Sequence, residues 1–450
     1  MKFLLLTLTT LISSNLWANL HLAPPDFNID KGRAIFVDFK SADYEVIYDL
    51  KKREVRVKSK ISFSAEKSGR PLFDLIPDPT KIRLNNEKVS AREISFPGGE
   101  SNLRMLSEAV MPGVHVLEME NKFKNHTQFV PLFRRVASAF WIRDLKDRMF
   151  LEQYLPSNFE YDQYKVTMDV KFIGKRGEQE FFTNGDLTKI SGNHYRLTFP
   201  DYFTSSCLYF HTAPKGFFRR LDFSYKSISG REIPMTVYSP WASRTKKFKA
   251  EALRVIEELE KDYGPWAHPR FLAYGTFPGT GGMEHAGATA TSLAALDHEM
   301  LHSYFAKGVM PANGNTGWID EAIAAWRDNG YPRYPDPGFT GSDLGAHSVY
   351  QRYTDNRAYG LGSAFMAYLD WKFQDRGGLK AFLKGYFETY KHTVITTEHF
   401  KNNLEFWSGL DLSNDFTQYI WGQNPEGSDL EVKGNPVHLP LSEKQLQRML

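Results

Sequence analysis

The sequence predicts an α+β protein, with a β-rich N-terminal domain over residues 19–215 and a helix-rich second domain over residues 216–425. Three observations predict it. Up to about residue 215 apolar side chains recur mainly with the period of two that a half-buried strand requires. Beyond about residue 216 they recur with the period of an amphipathic helix. At 450 residues the chain is long enough for two or three domains with sizeable cores, and its 14% aromatic content suits both strands and packed helices.

In chain order, residues 1–18 read as a cleaved signal peptide. Lys2 supplies the charged start, Phe3 to Ile12 the apolar stretch, and Ser13 to Ala18 the polar approach to cleavage. That stretch is shorter than the ~20 residues a spanning helix needs. The expectation is a secreted or periplasmic protein with no transmembrane segment. The single Cys207 excludes an intramolecular disulfide and a cysteine-rich metal site.

Alternating runs then recur at Tyr44–Asp49, Val55–Phe63, Val114–Met119, Tyr164–Phe172 and Tyr195–Phe199, with turns at Pro97-Gly98-Gly99 and Pro112-Gly113. The basic run from Lys51 to Lys58 alternates with Val55, Val57, Ile61 and Phe63, as a strand with one solvated face does. Lys246–Tyr263 is predicted as a helix burying Phe248, Ala252, Val255, Ile256 and Leu259 and stopping at Gly264-Pro265. Phe271–Tyr274 is a short strand. Helical patterns follow around residues 293–307, where Ser292 can cap and Gly308 can terminate, and from Asp320 to near Gly330. Further helices are predicted at Leu361–Asp375, Leu379–Tyr390, Thr396–Trp407 and Ser413–Trp421, ahead of a tail at 426–450. With 56 Lys and Arg against 53 Asp and Glu, the formal charge of +3 provides no electrostatic case for nucleic acid or an anionic membrane.

The chemistry concentrates between Gly281 and Arg327. HEMLH places His298 and His302 four residues apart, which on a helix brings both imidazoles to within ~40° of each other. Glu299 projects to a neighbouring face, from which a carboxylate can reach a water activated there without ligating the metal. Eighteen residues after His302 comes Glu321, in the helical pattern WIDEAIAAW. Two imidazoles and one carboxylate leave a fourth position open and suit Zn2+. Asp328 falls on the face of Glu321, where it either supports a ligand or is an ordinary surface charge; the latter is favoured. His211, His268 and His347 have no partner spacing and read as core or surface histidines.

HExxH followed after eighteen residues by Glu resembles the ligand pattern of the aminopeptidase N family of gluzincin zinc metallopeptidases. WIDEA is similar to that family's W-L-N-E-G/A, and GGMEH to its G-x-M-E-N motif. The resemblance implies a thermolysin-like zinc-peptidase catalytic domain behind an N-terminal β-sheet domain. It implies one Zn2+ per chain, held by His298, His302 and Glu321, with Glu299 as general base. Glu284 would bind the free α-ammonium of a peptide, and the backbone at Gly281 and Gly282 would hold the peptide chain. YGLG, beginning at Tyr359, is similar to the family's Y-E-K-G, whose phenol stabilises the oxyanion; Tyr350 and Tyr353 compete for that role. PSNFEYDQYK resembles a landmark following the loop that reaches substrate, so Gln153 and Glu152 are candidates there.

Two departures stand out. His285 replaces the family's Asn, and the interval from Glu284 to His298 is short. The expected function is an exported zinc metallo-aminopeptidase acting on peptides with a free N-terminus. A zinc endopeptidase or other hydrolase on the same scaffold, and a non-catalytic zinc protein that binds peptides, are the alternatives; self-association is left open. The family usually continues into a helical domain that roofs the site. With ~25 residues after Pro425, long peptides are expected to be accepted.

Overall fold

The computed structural model describes residues 19–30, 32–94, 103–140, 150–279 and 281–422. The signal sequence, the Pro97-Gly98-Gly99 turn and the tail at 426–450 lie outside them. No helix among the described residues is long and apolar enough to cross a membrane.

The N-terminal part is built on an eight-stranded sheet whose central pair is Asp38–Asp49 and Glu54–Ala65, paired antiparallel. Along Glu54–Ala65 the inward side chains are Val55, Val57, Ser59, Ile61, Phe63 and Ala65, while Lys58 and Lys60 face solvent. Lys51, Lys52 and Arg53 lie in the turn before the strand, and only the rest of the basic run lies on the strand, with Lys58 on its wet face. Lys165–Ile173 lies parallel to Asp38–Asp49, and the connection that a parallel pair requires carries Glu152, Gln153 and Glu160. A concavity of about 690 Å³ opens on this sheet. Its charges are matched within it, as in Lys58–Glu45 at 2.8 Å and Lys81–Glu120 at 2.9 Å, so it presents no unbalanced field to a ligand.

The second part opens with a five-stranded sheet in the order Arg219–Lys226, Glu232–Ser239, Phe271–Gly275, Ala288–Thr291, Gly282–His285. Gly282–His285 is an edge strand, antiparallel to its only neighbour in the sheet. The helix α1 (Ala242–Tyr263) buries the predicted stripe but begins four residues before Lys246. The Arg244 guanidinium lies 4.1 Å from the Trp241 ring centroid, and the Trp241 and Phe277 rings meet edge-on, which secures the added turn.

The helix α2 (Leu296–Leu301) is shorter than predicted. Ser292 precedes a 3-10 turn, Leu293–Ala295, without a side-chain cap, and the helix ends well before Gly308. Tyr304 and Phe305 leave the helix to enter the core, at 0% and 2% exposure. α3 (Trp318–Asp328) begins two residues ahead of Asp320, because Trp318 is buried and donates to Thr397 Oγ1 at 3.1 Å. α4 (Leu361–Lys372), α5 (Leu379–Tyr390), α6 (Thr397–Ser408) and α7 (Ser413–Tyr419) follow the predicted pattern closely.

Each part has its own apolar core, and a smaller cluster around Phe182, Tyr209, Phe218 and Tyr238 joins them; the Phe182 and Tyr238 rings stack at 3.6 Å. A second junction is ionic. Buried Arg352 binds Asp74 at 2.6 Å, Glu152 at 2.8 Å, Glu160 at 2.6 Å and Ser205 Oγ at 2.8 Å. One guanidinium thus faces three buried carboxylates.

Burial, opposed by Arg352, lifts Glu152 to about 8 and Asp74 to about 6. The folded chain therefore holds protons that the unfolded chain releases near the ordinary 4.5 and 3.8. The cluster's contribution to stability is full below those ordinary values and is lost as pH rises through the folded ones. Urea unfolding at a series of pH values should show stability falling between about pH 5 and 8, with Glu152→Gln flattening the decline.

Candidate functional site

The site forms where α2 and α3 meet under the edge strand Gly282–His285. The chain turns back after that strand through Ala286 and Gly287, with Gly287 at φ +62°, where a Cβ would come within 2.6 Å of the Arg270 carbonyl. This two-residue hairpin accommodates the short interval between GGME and HEMLH. It delivers Ala288–Thr291 straight into the turn before α2.

α2 presents His298 and His302 with ring centroids 4.8 Å apart. Their Nε2 atoms lie 3.3 and 3.4 Å from Glu321 Oε2, in the first turn of α3. The three donor atoms all fall within 4.8 Å of one another. On the far side of each ring, Nδ1 has its own partner: Asp328 Oδ2 at 2.7 Å for His298 and the Phe305 carbonyl at 3.3 Å for His302. A carbonyl only accepts, so His302 Nδ1 carries the hydrogen and its Nε2 can present a lone pair to the centre. Asp328 is thus the partner of His298 rather than the favoured free surface charge. The donor types, the clustering and the outer partners together fit a divalent metal with zinc preferences.

The electrostatics agree. Burial raises the Glu321 carboxyl, but His302 and His298 outweigh it and hold the group well below its ordinary value. Burial depresses both imidazoles, yet Asp328 and Glu321 carry His298 up to about 11, and Glu321 carries His302 up to about 9. The centre favours positive charge.

Glu299 is 6% exposed, and its Oε2 has no hydrogen-bond partner. Burial lifts it to about 8, against the pull of His302 and with the push of Glu284. It lies so close to the edge strand that a Cβ at Gly282 would be 2.3 Å from its Oε1. A side chain at Gly282 would displace the Glu299 carboxylate, while Gly281 is exposed on the same segment.

Tyr359 stacks on His298 with centroids 5.7 Å apart, and its phenol hydrogen-bonds Glu321. Burial and that carboxylate raise its pKa far above the ordinary value. The competing tyrosines are occupied elsewhere. Tyr350 donates to the Pro25 carbonyl at 2.7 Å, and the Tyr353 ring packs on His347. Of the three, Tyr359 is the one beside the donors.

Glu284 is buried, on the strand that lines Glu299. Lys307 Nζ lies 3.5 Å from its Oε1, a contact with no signal in the sequence beyond a lysine five residues after His302. His285, the neighbouring residue, alternates to the opposite face of the strand, where Nδ1 donates to the Leu208 carbonyl at 2.8 Å. Burial depresses it to about 3, so it is a neutral core histidine. His268 and His211, both buried and also near 3, are core residues too. Glu152 is held by Arg352 rather than offered to a ligand, and Gln153 is buried beside it in the same short turn.

No protein-family model and no curated protein matches the chain. Solved structures do. Aminopeptidase A of Legionella pneumophila, in complex with aspartic acid, superposes with a TM-score of 0.62 at 15% identity, over 85% of this chain and 49% of that one. This chain therefore spans about half the length of that protein. An M1 zinc metallopeptidase mutant of Deinococcus radiodurans bound to a Tyr-Ser-Ala substrate gives 0.61 at 15% identity, over 86% of this chain and 95% of the other. Yeast LTA4 hydrolase gives 0.60 at 14% identity, over 86% and 69%. The chain has the fold of the M1 zinc metallopeptidases, an N-terminal β domain followed by their catalytic domain.

Loss of the outer partner of His298 should be measurable without any substrate. Asp328→Asn is expected to keep the fold and weaken zinc binding ~10–100-fold in a competitive titration, with His302→Ala weakening it further.

Proposed function

We propose that the protein is a zinc metallopeptidase that removes residues from the free amino end of peptides, with one zinc per chain. The observation that carries this is the Glu299 carboxylate, buried with one oxygen unpartnered, between the glycine edge strand and the His298–His302–Glu321 donors. A non-catalytic zinc protein has no need to bury a carboxylate there. The apolar stretch Phe3 to Ile12 supports export.

When bound by His298, His302 and Glu321, zinc supplies Lewis acidity that makes a water nucleophilic near neutral pH and polarises a carbonyl. The chain's own residues do the rest. A peptide adds to the open edge of Gly282–His285, where Gly281 and Gly282 let its backbone approach. Glu284 accepts hydrogen bonds from the α-ammonium and fixes which peptide bond lies at Glu299. Glu299 Oε2 takes the proton from the attacking water and delivers it to the leaving amine. The Tyr359 phenol turns from Glu321 to donate to the substrate carbonyl oxygen as that oxygen gains charge.

A zinc endopeptidase on the same scaffold is the second reading. The Lys307–Glu284 contact favours it, since the carboxylate already has a cation beside it.

The test uses leucyl-anilide and peptide substrates, each free and N-acetylated, with the zinc-loaded enzyme. Acetylation should lower kcat/KM at least ~tenfold, and indifference to it selects the endopeptidase. Glu299→Gln and Tyr359→Phe should each retain zinc and lose ~3 kcal/mol or more of transition-state stabilisation, at least a hundredfold in rate. Tyr350→Phe should lose little; full activity in Tyr359→Phe would overturn the oxyanion assignment.

A further inference from the structure

Lys307 has no part in the chemistry above, yet its side chain is 1% exposed and placed at the amine site. Its Nζ donates to Ser206 Oγ at 3.1 Å, approaches Glu284 Oε1 at 3.5 Å and lies 5.4 Å from the Phe150 ring centroid. An ammonium sealed from water needs such partners. The loop that aims it is tight. The Lys307 amide donates to the His302 carbonyl at 2.8 Å, and a Cβ on Gly308 would meet the Ser303 and Tyr304 carbonyls at 2.5 Å. Ala306, just before it, sits at φ +130°, a conformation that a residue with a Cβ holds only when its surroundings impose it. A strained turn, held by backbone hydrogen bonds from Ala306, Lys307 and Val309, thus directs a cation at the carboxylate assigned to the substrate's amino end.

We infer that Lys307 is a resident counter-cation of the amine site and sets how strongly the enzyme prefers a free N-terminus. The inference rests on the reading of Glu284 as the ammonium acceptor. With Lys307 beside it, the Glu284 carboxylate is held in place before substrate arrives. An entering ammonium must share the carboxylate with Lys307, which keeps Ser206 and Phe150 as partners, and the two cations repel across a site that excludes water. The free amine is therefore held less tightly than a carboxylate without this lysine would hold it. Peptides whose amino end is blocked or uncharged are correspondingly less disfavoured.

Zinc-loaded wild type, Lys307→Met and Lys307→Arg are compared on leucine anilide and its N-acetylated form. Lys307→Met should lower KM for the free amine, relative to the acetylated form, by ~tenfold or more while kcat changes less than ~threefold, and Lys307→Arg should stay near wild type. An unchanged or raised KM ratio in Lys307→Met, or the same shift in Lys307→Arg, overturns the inference. Urea unfolding of Lys307→Met, Glu284→Gln and the double variant reads the pair independently of turnover. A double variant that loses less stability than the sum of the singles supports the pairing, and additive losses overturn it. If every form ignores acetylation, the inference fails, and the unfolding cycle separates the causes. Coupling then places the failure in the aminopeptidase reading, and additivity places it in the ion pair.

Discussion

A carboxylate at 2% exposure has to be compensated, and the arrangement of the cleft follows from how Glu321 is compensated. One of its oxygens lies beside the Nε2 atoms of His298 on α2 and His302 just after it, and the carboxylate also accepts from the phenol of Tyr359, in the turn before α4. Both imidazoles are fixed from behind, His298 by Asp328 and His302 by the backbone of Phe305. α3 itself is anchored at its start. Trp318 is anchored on Thr397 of α6, and Gly317 lies where a Cβ would be 2.2 Å from Thr354 Oγ1. The position of one carboxylate is therefore tied to α2, to α6 and to the segment around Thr354.

The cleft gathers three buried carboxylates, Glu284, Glu299 and Glu321, and each environment handles its charge differently. Imidazoles compensate Glu321, Lys307 compensates Glu284, and Glu299 keeps an unpartnered oxygen and a raised pKa. A carboxylate raised in this way is suited to holding and releasing a proton near neutrality. The surroundings of Glu284 are also tied to the ionic junction with the N-terminal part. The Phe150 ring lies 4.8 Å from the Arg352 guanidinium and 5.4 Å from Lys307, and Ser205 and Ser206 serve one cation each. The ionic junction between the two halves thus continues to the Lys307–Glu284 pair.

The parts legible in the sequence are those encoded at short range. Two histidines at helical spacing, WIDEA at its interval and strands alternating every second residue all declare themselves within one element. Asp328 was in view but its role was not, because a carboxylate at a helix end reads the same whether it meets water or an imidazole. The end of α2 was misjudged, because the burial of Tyr304 and Phe305 outweighs the stop signal at Gly308. Arg352 and Lys307 were invisible. Their partners lie 278 and 192 residues away for Arg352 and 101 for Lys307, and no local pattern marks a side chain whose meaning comes from such distances.

The central claim is that His298, His302 and Glu321 hold a zinc ion through both Nε2 atoms. Crystals of zinc-loaded protein, measured on both sides of the zinc absorption edge, test it most directly. The predicted result is one anomalous peak per chain, ~2.0–2.1 Å from each Nε2 and within ~2.2 Å of a Glu321 oxygen. Absence of a peak there, or a zinc bound through Nδ1 or by other residues, would contradict the account.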